Sequence, residues 1–163
     1  MANGARRIQG SDLYDVTQDA RVVSIRWDLV QWALVLDLDA PTSEAKDAPV
    51  MRAWLVFSGL SELSWPMKCV RIPNGCGLTS TIRPSPGSGE FQEYRFTALL
   101  PRFRADESLE GNPAQEVMIR AQALHGVASE RSARPGEFGL SWAARVALAS
   151  DEEMLGALGE DAG

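Results

Sequence analysis

The chain is poor in the residues that most often carry chemistry: among 163 residues it has two cysteines, one histidine and two lysines. Cys69 and Cys76 are too few for a disulfide framework and too few for a four-ligand structural zinc site. They fit a reducing cytoplasm; one Cys69 to Cys76 bridge, with Asn74 and Gly75 turning the chain back, is the alternative for an exported protein. No Gly-x-Ser-x-Gly nucleophile elbow occurs, and Gly75-Cys76-Gly77 and Gly87-Ser88-Gly89 are too short to cradle a phosphate. No cofactor is therefore expected. Long apolar runs are missing as well: Trp32 to Leu36 falls far short of the roughly 20 residues that span a bilayer. The first residues show no secretory pattern, so the expectation is a cytoplasmic protein with no membrane partner.

The formal charge of -6 is not spread over the chain. Residues 151–163 hold five acids and no base, and the remainder carries 17 acids against 16 bases. Without a Lys/Arg excess there is nothing to drive counterion release from a nucleic acid, so no nucleic-acid partner is expected.

What the chain does have is alternation. Val23, Ile25 and Trp27 stand opposite Ser24, Arg26 and Asp28, then Trp32, Leu34, Leu36 and Leu38 repeat with period two, which predicts two strands joined by a short hairpin. The turn between them lacks Gly and Asn, which leaves its type open. In 53–57 both alternating sets are apolar, as in a strand covered on both faces, and Gly59 predicts a bend or bulge. Further strands are predicted at 67–72, 91–100, 116–124 and 140–148; the segment 116–124 also fits a helical stripe but is read as strand. Ser150 with Glu153 has capping-box spacing and starts a short helix that Gly159 stops. The sum is one domain over 1–163, mainly β, an antiparallel sandwich or strongly bent sheet of about seven strands with a short C-terminal helix. Residues 1–15 are expected to be a flexible lead-in and 150–163 a short helix with an acidic tail. The long connections at 40–50, 73–90, 101–115 and 125–137 are where binding is expected.

Five tryptophans fall on or beside strands, where core is the usual role. Trp27 and Trp32 flank one turn, which makes one of them a candidate interaction anchor. Arg102-Phe103-Arg104 interleaves base and aromatic, a pattern that can stack on single-stranded bases or grip a carboxylate partner, although Asp106, Glu107 and Glu110 follow at once and argue for a solvated loop. His125 stands beside Gly126; Cys76 and Ser129 are the nucleophiles it would serve, but no spacing ties them, and a surface or half-buried histidine is the plainer reading. Asp37 and Asp39 share a strand face, either as solvated carboxylates or as ligands of a hard cation with Asp28 or Asp15. No catalytic residue and no metal ligand is assigned.

The succession Ser24-Ile25-Arg26-Trp27-Asp28, Leu34-Val35-Leu36-Asp37-Leu38 and Trp54 through Leu63 resembles the strand order of small bacterial β-rich immunity proteins that neutralise polymorphic toxins. It covers roughly residues 20–66 and implies a non-enzymatic cytoplasmic protein that blocks a toxin by binding it. The nearly neutral body departs from the acidic character expected for a basic nuclease target, and no binding residues carry over. The leading expectation is a non-catalytic protein-binding domain with a partner such as a toxin. The alternatives are a small-ligand or enzymatic β domain with a pocket near His125, and a structural or self-associating module; the oligomeric state stays open.

Overall fold

A computed structural model describes residues 4–65, 76–86, 89–100, 102–106, 108–136 and 139–159. The predicted hairpin is present as β2 (Arg21–Asp28) and β3 (Ala33–Pro41), preceded by β1 (Ala5–Ile8) and one helical turn, α1 (Asp12–Asp15). Then come β4 (Val50–Ser64), β5 (Cys76–Gly77), β6 (Arg83–Pro86), β7 (Gln92–Leu99), β8 (Arg102–Phe103), β9 (Leu109–Gly111) and β10 (Ala114–Ser129). Two helices follow, α2 (Trp142–Leu148) and α3 (Asp151–Gly159). The strands run antiparallel in the order β5-β2-β3-β4-β10-β7-β6, with β1 paired to the far end of β10 and β8-β9 forming a separate ribbon.

The sheet is strongly bent but not closed. Near its β5 end, Leu78 donates its N–H to Ala20 O, while Leu78 pairs with Ala98 and Thr79 donates to Thr97 O, so one short segment touches strands from both halves of the sheet. The curl creates an inner face on which Leu34, Leu36 and Leu38 meet Leu55, Phe57, Tyr94, Phe96 and Ile119. Each such fully buried side chain contributes about 1.5–3 kcal/mol. The doubly apolar run 53–57 is explained by β4 lying at the centre: Ala53, Leu55 and Phe57 enter this core, while Trp54 and Val56 enter a second cluster on the outer face. That second cluster is roofed by Met154 and Ala157 of α3.

Three expectations need correction. The segment 140–148 is not a strand: Ser141 caps a helix by accepting from Ala144 N, and the alanines of Trp-Ala-Ala-Arg-Val-Ala-Leu favour a helix in which Arg145 and Leu148, three apart, turn inward. Its apparent period of two was a coincidence of short length. Residues 5–15 are strand and helical turn rather than a flexible lead-in, because Ala5 and Ile8 are buried against the sheet. The segments 101–115 and 125–137 are shorter connections than they look, since β10 runs unbroken from 114 to 129. The strand expected at 67–72, with Cys69, lies outside the described residues, as does the Cys76 side chain.

The start of α3 is capped and fastened to the sheet. Ser150 N donates to Glu153 Oε2 at 2.7 Å and Glu153 N to Ser150 Oγ at 3.1 Å, the predicted capping box. Asp151 accepts from Arg52 at 2.5 Å and Arg26 at 3.2 Å. Burial raises the Asp151 carboxyl, but the hydrogen bond and charge of Arg52 and then Arg26 outweigh it, so the group titrates below its ordinary 3.8. Glu153 is likewise held below 4.5, chiefly by the Ser150 backbone N–H. Both acids bind protons more tightly in the unfolded chain, so the stability they add is present above the ordinary values and is lost as pH falls through the lowered ones. Thermal melts from pH 5 to 3 should therefore show the melting temperature dropping with acid, and Asp151→Asn should flatten that slope; an unchanged slope would contradict the role given to Asp151.

Candidate functional site

The candidate residues named from sequence fall in three separate places. Trp27 and Trp32 flank the β2-β3 turn. Arg102 and Arg104 are exposed on and beside the small β8-β9 ribbon, where Arg104 N donates to Ser108 O; the Phe103 side chain lies outside the described residues. His125 lies in β10, half-buried, with Arg7 Nη2 2.7 Å from its Nδ1.

A guanidinium has no lone pair, so Nδ1 is the acceptor and the imidazole carries its proton on Nε2. Burial, and then the Arg7 cation, hold the His125 pKa below its ordinary 6.5, which leaves the ring neutral at pH 7. Ser129 is committed elsewhere: its hydroxyl accepts from Arg52 N and donates to Arg131 O. Asp37 and Asp39 are neither solvated nor arranged around a cation. They are buried beneath α2, where Arg145 pairs with both and Arg52 donates to Asp37 at 3.0 Å. With Arg26 and Asp151 the cluster holds three arginines and three aspartates, a balanced network that pins α2 and α3 to β3 and β4. Neither the alternation nor the composition of the sequence announces it.

The β2-β3 tip is different in kind. Asp28 Oδ1 accepts from Val30 N and Gln31 N, so the aspartate replaces the Gly or Asn that the turn lacks. The four-residue turn closes through Trp32 at φ 49, a left-handed conformation uncommon for a bulky residue. That geometry turns apolar side chains outward: Trp27 is 52% exposed, Leu29 69%, Val30 92% and Trp32 63%. An aromatic held in such a conformation at an exposed tip is strained for a reason other than burial.

Beside the tip lies a groove of about 220 Å³, lined by Trp27, Asp28, Trp32, Leu60, Glu62 and Leu63 among others. Gly59 builds it. At φ 64 the glycine bends β4 so that Leu60 N donates to Trp32 O at 2.9 Å, and a β-carbon there would come within 2.2 Å of Gln122 Oε1. Gly59→Ala should cost about 1–2 kcal/mol from the left-handed backbone alone, read from denaturant titration. The structure thus adds Leu29, Val30, Leu60 and Leu63 to the sequence candidates; two apolar residues at the centre of a glycine-free turn were the visible signal for the first pair.

Fold and surface together define a mainly β, open-sheet domain that presents an apolar hairpin tip. No protein-family model matches the chain, and neither the curated proteins nor the solved structures contain a significant match. Among the described residues no helix is long and apolar enough to cross a membrane, and no group of three or more His, Cys, Asp or Glu is placed to hold a metal ion.

Proposed function

We propose that this chain is a non-catalytic protein-binding domain that docks its partner on the β2-β3 tip and the adjoining groove. The observation that carries the reading is the strained, exposed run from Trp27 to Trp32, held on a rigid sheet by Asp28 and by the Leu60 to Trp32 hydrogen bond. Binding hot spots concentrate Trp side chains on such preorganised surfaces, and a contiguous exposed apolar patch on a small protein is often functional. The resemblance to immunity proteins of toxin systems covers roughly residues 20–66, the part of the chain that holds this patch, and a toxin is the partner that resemblance implies. Exposed Arg102 and Arg104 are the second candidate contact.

A photo-crosslinking residue at position 30 tests the reading. In the native host it should trap a single protein, which after purification should bind the unmodified chain directly. The same residue at exposed position 44 should trap nothing. Equal yields from the two positions would remove the tip as the docking surface.

A further inference from the structure

The groove beside the tip has a chemical character beyond being apolar. We infer that it takes one basic side chain, an arginine or a lysine, from an apolar-flanked segment of the partner protein; this rests on the docking role proposed above. The partly exposed Trp27 and Trp32 line it together with Asp28 and Glu62, and no Lys or Arg lines it among the described residues. Indole faces attract guanidinium and ammonium groups, and a neighbouring carboxylate adds the opposite charge.

The same chain shows this combination working within its own fold. The Arg26 guanidinium lies 4.4 Å from the Trp54 ring centroid while donating to Asp151 at 3.2 Å. The groove offers tryptophans and carboxylates with no arginine among its own lining residues. Asp28 spends Oδ1 on the turn amides. Glu62 stands 3.5 Å from Arg120, whose other amino group is held by Glu93 at 2.9 Å. A second copy of the chain is the poorer occupant. The groove carries two acids and no base among its lining residues, so the same surface of a second copy would meet it with like charge.

The test uses n-butylguanidinium and its neutral isostere n-butylurea, followed by the indole N–H signals of the full chain. Trp27 and Trp32 should shift saturably with n-butylguanidinium at millimolar concentration and about tenfold less tightly with n-butylurea, a difference of about 1.4 kcal/mol. Trp54, buried in the outer cluster, should not move. Asp28→Asn, which keeps the oxygen that caps the turn, combined with Glu62→Gln should bring n-butylguanidinium down to the level of n-butylurea. Equal binding of the two probes overturns the basic anchor and leaves the docking reading in place. Silence of both probes also overturns it, and the docking reading then falls as well only if the position-30 crosslink fails.

Discussion

Replacing Asp37 by alanine is expected to destabilise the protein by about 3–5 kcal/mol, the loss that follows when one member of a buried ion pair is removed and the other charge is left without compensation. Two guanidiniums depend on this carboxylate. Arg52 donates to it at 3.0 Å and Arg145 pairs with its other oxygen, and all three side chains are almost entirely out of water. Burial pulls the Arg145 guanidinium below its ordinary value while Asp37 supports its charge; in Arg52 the bonds to Asp37 and Asp151 outweigh burial. The aspartate therefore holds charge where the sheet would otherwise reject it. Glu116 gives the contrast: its bond to Arg95 is short, at 2.5 Å, but both partners are about half exposed. Glu116→Ala should cost less than about 1 kcal/mol, because water and salt screen such a pair. Urea titration of both variants decides whether burial, rather than bond length, sets the scale. Equal losses would contradict the account of the α2-α3 anchorage.

Trp32→Gly should separate stability from function. Trp32 sits at φ 49, where glycine carries no steric penalty, and it is mostly exposed. The substitution should change stability by no more than about 1 kcal/mol, since the strain released is offset by the part of the ring that is buried and by the greater freedom of glycine in the unfolded chain. Partner affinity should fall by at least about tenfold, as for loss of a hot-spot tryptophan. A variant that is more stable and still binds fully would show that the strained tryptophan serves neither purpose assigned to it.

Much of the sheet was legible in the sequence because a half-buried strand must alternate. β2, β3 and β7 announce themselves that way, and the doubly apolar 53–57 correctly marks the strand with a core on each face. Where one local pattern admitted two structures, tertiary context decided. Leu140 to Leu148 alternates on paper, yet its alanines, the Ser141 cap and the need to bring Arg145 over Asp37 and Asp39 make it a helix. Those two aspartates read as solvated because the partner they share, Arg145, lies more than 100 residues away in sequence. The short strands β1, β5 and β6 carry too few residues to show a period. Their pairing depends on the curl of the sheet, and β6, with Pro84 and Pro86, occupies an edge where proline is tolerated.

The site was half legible. Trp27 and Trp32 stand out as two aromatics around one turn, but their exposure follows from the Asp28 cap and the left-handed Trp32. Leu60 reaches the groove only because Gly59 bends β4. Arg102, Arg104 and His125 were equally visible in sequence, and the fold carries them to other places.

Docking at the β2-β3 tip is read from the calorimetric affinity of the purified partner for three forms of the chain: unaltered, Val30→Glu, and Arg102→Ser with Arg104→Ser. Val30 is almost fully exposed, so the glutamate leaves the fold intact while forcing a charge into any contact at the tip. Docking at the tip predicts that Val30→Glu weakens binding at least about a hundredfold, some 2.8 kcal/mol, and that the arginine pair changes it by less than about tenfold. Full affinity in Val30→Glu, with binding lost in the arginine variant, would contradict the claim and move the interface to the β8-β9 ribbon.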